Sequence, residues 1–196
     1  SVIKDSVDNL FLTHKQGDAD FNLKVLNDFT IEFGGKVTTD VMGYLRNSGP
    51  GKGFTGSTGA GGGGYGGNGG NGLTSVGGMG YGSVLEPVDF GSGGGDYGYG
   101  QGGNGGGVIR LEVGNMLRVD GTISANGGDG IRHQWGDEGG GGSGGSIYIR
   151  TNVIAGSGAI RANGGNTVMI YGPKSGGGGG GRVAIYVSDV TSYAGK

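Results

Sequence analysis

The chain has 196 residues, enough for one domain with a real interior, yet only 33% of it is apolar and 57 residues are glycine. Collagen is excluded, because no glycine-every-third register is sustained and there are only three prolines. A formal charge of −2 without a basic block lacks the footprint of a nucleic-acid binder, the absence of cysteine excludes disulfides and thiolate metal sites, and no apolar run reaches membrane-spanning length.

Disorder is also disfavoured, because GVIRLEV and RVAIYV are β-branched alternating runs that linkers lack. The opening SVIKDSV carries neither an initiator methionine nor a signal peptide, which reads as a mature product or a piece of something longer. Residues 1–20 fit no repeat and are expected to form a cap or a strand donated to a neighbouring copy.

From Phe21 onward one frame occurs four times: FNLKVLNDFTIEFGGKVTTDVMG from Phe21, GVIRLEVGNMLRVDGTISANGG from Gly107, GSIYIRTNVIAGSGAIRANGG from Gly145 and GRVAIYVSDVTSYAGK from Gly181. Each reads as an alternating strand, a turn, and a glycine (Gly121 and Gly158 in the middle copies) that opens a second strand. Copies two to four start 38 and 36 residues apart, whereas the first and second are 86 apart, room for one extra coil with a long insertion over 44–106. Alternation puts Ile109, Leu111, Val113, Ile147, Ile149, Val183, Ile185 and Val187 on one face, and Arg110, Glu112, Tyr148, Arg150, Arg182 and Tyr186 on the other.

Like residues at like positions are what a stack needs, since each turn buries its apolar row against the next. The expected fold is therefore all-β: one parallel β-helix, or β-solenoid, spanning 1–196. ANGG recurs at 125–128 and 162–165, so Asn126 and Asn163 are candidates for an amide ladder, or else ordinary turn residues. The glycine runs also fall once per repeat, so stacking would bring them together. Polyglycine can adopt an extended helix of three residues per turn rising about 3.1 Å per residue, with all its amides free to bond to neighbours. Packed polyglycine II-type segments are thus expected along one side, the alternative being mobile loops.

The succession YGS…EP…GSGGG (81–95), VDGTISANGG, GGGSGGSIYIRT, GSGAIRANGG and GGGGGGRVAIYV resembles glycine-rich modules of very large, mostly uncharacterised secreted or surface proteins. The resemblance covers about residues 29–196. It implies a β-helical module in an extracellular or cell-surface polypeptide, and it transfers no catalytic residue.

Chemistry-bearing residues are sparse. The only histidines are His14 and His133, and no nucleophile elbow occurs. GGDGIRHQWGDEGG (127–140) is the most mixed stretch: Asp129, Asp137 and Glu138 are candidate calcium ligands, and a solvated polar loop is the plainer reading. GGNGGNGLT (66–74) fits a calcium-roll nonapeptide, but a single copy is better read as chance. Trp135, His133, Arg132, Tyr97 and Tyr99 are candidate ligand or surface contacts, and Tyr44, Tyr65, Tyr81 and Tyr171 are further ring contacts or packing plugs. Glu112 and Asp120 do not form the column of acids that a glycan-cleaving groove needs.

The expected function is non-enzymatic: a structural or adhesive extracellular module forming a fibre, coat or attachment surface, without a cofactor other than candidate calcium. The alternative is a carbohydrate-binding or polysaccharide-cleaving β-helix with a cleft between loops 44–100 and 127–140. Ice binding is a minor alternative. Expected partners are further copies end to end or flanking domains of a larger chain, and a polysaccharide or other surface, with no nucleic acid and no membrane insertion.

Overall fold

A computed structural model describes residues 20–167 and 175–196; the candidate cap over 1–19, His14 and Tyr171 lie outside them. The described residues form eleven strands and no helix, so the protein is all-β or nearly so. The strands are β1 (Asp20–Val25), β2 (Phe29–Ile31), β3 (Lys36–Thr38), β4 (Val108–Val113), β5 (Met116–Val119), β6 (Thr122–Ser124), β7 (Ser146–Arg150), β8 (Val153–Gly156), β9 (Ala159–Arg161), β10 (Arg182–Tyr186) and β11 (Asp189–Tyr193). They make three wholly parallel sheets, ordered β1-β4-β7-β10, β2-β5-β8-β11 and β3-β6-β9. Consecutive strands never pair; each goes to the next sheet.

Register follows the apolar alternation. Phe21, Ile109, Ile147 and Val183 form one row of the first sheet, and Leu23, Leu111, Ile149 and Ile185 another. In the third sheet Val37, Ile123 and Ile160 align. These rows meet in a core where Ile109, Leu111, Ile123, Ile147 and Ile149 are fully buried, each burial contributing about 1.5–3 kcal/mol.

The repeat differs from the sequence expectation in two ways. Between the two expected strands lies a third, carrying Leu117 and Val119 in β5 and Ile154 in β8 into the core. Four-residue strands such as MLRV and VIAG are too short for alternation to separate from a turn. No extra coil separates the first two copies either, because β1 pairs directly with β4. The 86-residue interval holds no named strand between β3 and β4 and joins the glycine segments instead. Glycine offers no side chains for cross-strand pairs, so the stretch is excluded from the sheets.

Corner positions explain two predicted glycines. A Cβ on Gly158 would strike the carbonyl of Gly121, one on Gly121 that of Gly35, and one on Gly195 that of Gly158. The four glycines form a column where successive repeats touch main chain to main chain. The asparagines make a ladder of a different kind from the expected amide–amide one. Asn163 N–H donates to Asn126 Oδ1 at 2.8 Å, and Asn126 N–H donates to Asp40 Oδ1 at 2.6 Å. The Asp40 and Asn126 side chains each accept from the main chain of the next repeat, so the ladder runs from side chain to main chain.

The glycine segments are bonded with a period of three. Along 139–145, Gly140 and Ser143 N–H donate to Gly95 and Ser92 carbonyls, Gly141 and Gly144 to Gly176 and Gly179, and Gly142 and Gly145 to Gly128 and Ala125, at 2.7–3.0 Å. The same run accepts from Gly103 and Gly106, from Gly63 and from Gly165. One segment therefore has six neighbouring segments, and residues 139–145 are all buried. A Cβ on Gly140, Gly141 or Gly142 would land on the carbonyl of Gly61, Gly165 or Asn104. The exception, Ser143, uses its buried hydroxyl to accept from Ser92 N–H at 2.8 Å.

This slab also covers the outer face of the first sheet. Tyr148 is on the face opposite the core, as alternation predicts, yet is only 5% exposed. Above it Tyr65 OH meets Ser146 Oγ at 2.6 Å, Tyr186 OH donates to Leu85 O at 2.8 Å, and Arg182 Nη2 donates to Tyr81 O at 2.8 Å. Sequence periodicity registers faces, not what arrives from elsewhere in the chain to cover them.

Candidate functional site

At one edge of the slab two polar turns lie side by side. In the first, Tyr97 and Gly100 exchange main-chain hydrogen bonds at 3.1 and 2.8 Å around Gly98. Gly98 has φ +56°, and a Cβ there would strike the carboxylate of Asp137; both facts favour glycine. The second turn runs from Ile131 to Glu138. It is closed by His133 N–H on Asp137 O at 2.8 Å and Gly136 N–H on His133 O at 2.9 Å, with Gly136 at φ +91°. Reciprocal bonds between Gln101 and Ile131, at 3.0 and 2.7 Å, join the turns, and Tyr99 N–H donates to Asp137 Oδ2 at 3.0 Å.

This bracing brings three rings together. Tyr99 and Trp135 have centroids 4.9 Å apart and are edge-to-face, His133 and Trp135 are 4.9 Å apart and edge-to-face, and Tyr99 and His133 lie 5.1 Å apart. Trp135 is 68% and Tyr99 63% exposed. His133 Nδ1 is enclosed without a hydrogen-bond partner among the described residues. Beneath, Arg132 Nε and Glu138 Oε1 lie 3.6 Å apart, and Glu138 is buried. Its main-chain carbonyl accepts from Ser175 Oγ, which ties the turn to the slab.

Of the predicted contacts, Tyr99, His133 and Trp135 thus converge, while Arg132 braces the turn. Tyr97 is half-buried and its ring stays outside the three-ring group. The three predicted calcium ligands hold different parts of the loop: Asp129 Oδ1 accepts from Asn166 N–H at 2.7 Å, Asp137 from Tyr99, and Glu138 faces Arg132. Among the described residues no three His, Asp or Glu side chains are grouped as ligands for a metal ion.

Other predicted aromatics are packing elements. Tyr65 is fully buried, its ring 4.9 Å from that of Tyr81 and beneath the Arg182 guanidinium at 5.4 Å. Burial raises the phenol pKa of both tyrosines above its ordinary value, in opposition to their hydrogen bonds to Ser146 and Ser92. Tyr44 meets Phe90 edge-on at 5.9 Å. Glu112 and Asp120 are each paired with an arginine two residues earlier. Glu112 accepts from Arg110 at 2.8 Å, which holds its carboxyl below the usual range, and Asp120 accepts from Arg118 at 2.5 Å.

Sequence reading missed two grooves. One, of about 410 Å³, crosses the corner between the first two sheets and includes Lys24, Glu112, Arg150 and Tyr186. The other shares Arg150 and Tyr186 and lies under Leu85 and Glu86. Their signal was the outward row Lys24–Glu112–Arg150–Tyr186, which is visible only once register is known. Compared with protein-family models, curated proteins and solved structures, the chain matches none.

Proposed function

We propose that this chain is a non-enzymatic structural and adhesive module of a secreted or cell-surface protein, built as a β-solenoid flanked by packed polyglycine II-type helices. The solenoid reading is supported by triplets of strands that each supply a strand to successive parallel sheets in constant register. The observation that carries the function is the period-three bonding of 139–145 to six neighbours. Such a segment cannot bend without breaking hydrogen bonds to several others, so the slab is a stiff platform for the turns at its edge. Similarity to the glycine-rich surface modules points to the same setting.

Self-assembly belongs to this reading. Among the described residues β10 pairs only with β7 and β1 only with β4. Val183 and Ile185, continuing the apolar rows, are 44% and 39% exposed. Unpaired parallel edges with an unfinished apolar row are templates for another strand. The reading is tested by negative-stain electron microscopy at rising concentration and by retention on whole bacterial cells and cellulose fibres. End-to-end particles or retention on either surface is expected. Single particles at every concentration together with no retention would overturn it.

A further inference from the structure

We propose that Tyr99, His133 and Trp135 form a subsite for one face of a neutral hexopyranose unit of a polysaccharide; this rests on the adhesive reading above. A pyranose combines a face of C–H groups with a rim of hydroxyls, so it needs an aromatic surface bordered by polar groups. The two turns supply both. Trp135 and Tyr99 present mostly exposed rings, and the turn that carries Trp135 also carries the exposed Gln134 as well as Asp137, whose carboxylate accepts from Tyr99 N–H.

Size argues against a protein partner. Aromatic side chains bury roughly 150–250 Å² each, and about two-thirds of Trp135 and of Tyr99 is exposed, so the two rings offer roughly 200–330 Å², under half of the roughly 800 Å² per side of a stable protein interface. One or two sugar rings fit that area. Charge argues for a neutral sugar: Arg132 is offset by Glu138 at 3.6 Å, which leaves the Asp137 carboxylate as the excess charge and disfavours uronates and phosphates. The rings are also held before any ligand arrives. Gln101–Ile131 pairing and the Tyr99–Asp137 bond fix both turns, so little ordering is needed on binding.

Trp135 is the only tryptophan of the chain, so its fluorescence reports on this site alone. Titration with dextran, mannan and laminarin is expected to give a saturable emission change with at least one of them. Trp135→Ala is expected to reduce retention on that polysaccharide, immobilised, at least tenfold, and Tyr99→Ala by a smaller factor. Both variants should unfold at the wild-type temperature within a few degrees, because both side chains are mostly exposed. No emission change with any of the three, equal retention of Trp135→Ala, or an emission change with phosphatidylcholine vesicles alone would overturn the subsite. Retention on cells or cellulose that survives both Trp135→Ala and competing polysaccharide also overturns it while leaving the adhesive reading in place; loss of all retention and of end-to-end assembly removes that reading itself.

Discussion

The strand stack and the glycine slab bury main chain in opposite ways. In the stack, hydrogen bonds run between neighbouring strands and the core is filled by side chains such as Ile147 and Ile149. In the slab, hydrogen bonds radiate in three directions per turn, and at Gly140, Gly141 and Gly142 the space between segments is too narrow even for a Cβ. The stack tolerates loss of register poorly, because a one-residue slip turns the apolar row outward. The slab tolerates added atoms poorly. One chain thus holds two interiors with opposite requirements.

Substitutions that exchange these requirements separate the two interiors, and the largest effect belongs to the stack. Ile149→Ala is expected to lower stability by about 2–5 kcal/mol through lost burial and a cavity. That is a fall of roughly 4–20 °C in thermal midpoint for a chain of this size, read by calorimetry. Gly141→Ala does the reverse on a smaller scale, adding one carbon where Ile149→Ala removes three. Because the new Cβ would sit on the Gly165 carbonyl, a loss of about 1–3 kcal/mol is expected. Faster exchange of the neighbouring glycine amides, followed by NMR, should accompany it. A Gly141→Ala protein as stable as wild type would show that the slab is loosely packed.

Asn126→Ala tests the seam between the two regions. It removes the acceptor of Asn163 N–H and is expected to cost about 0.5–1.5 kcal/mol in a denaturant titration. The tyrosine plug that joins slab to sheet is sensitive to pH only in the alkaline range. Tyr65 and Tyr81 have phenol pKa values raised by burial, whereas the unfolded phenols ionise near pH 10. Their contribution is therefore complete below about pH 10 and declines as pH rises above it. Replacing both by Phe should flatten that decline in urea midpoints measured from pH 8 to 11.5. Smallest is Gly67→Ala, where nothing lies within 4 Å of the added Cβ; a change within about 0.5 kcal/mol is expected. The contrast between Gly67 and Gly141, chemically the same substitution, measures how much of the slab is interior.

Much of the fold was readable from the chain. Apolar alternation located the strands of the first sheet and their rows, and recurrence of Gly121 and Gly158 marked a corner. The short second-sheet strands escaped, because a four-residue element such as Met116–Val119 is too short to display a period. Part of the candidate site was also readable, since Tyr99 and Trp135 stood out as aromatics in glycine loops and His133 as one of two histidines, in the mixed stretch 127–140.

Their convergence was not readable. Tyr99 and Trp135 are far apart in sequence and meet through Gln101–Ile131 pairing and the Asp137 carboxylate, neither of which has a period. Sequence alone determined which residues face a core and which segments can pack without side chains, because both are local properties of side-chain size and alternation. The tertiary structure decided which glycine segment lies against which, and hence that Tyr148 is covered and Trp135 is not. Hydrogen bonds between segments of identical composition leave no mark in the sequence that makes them.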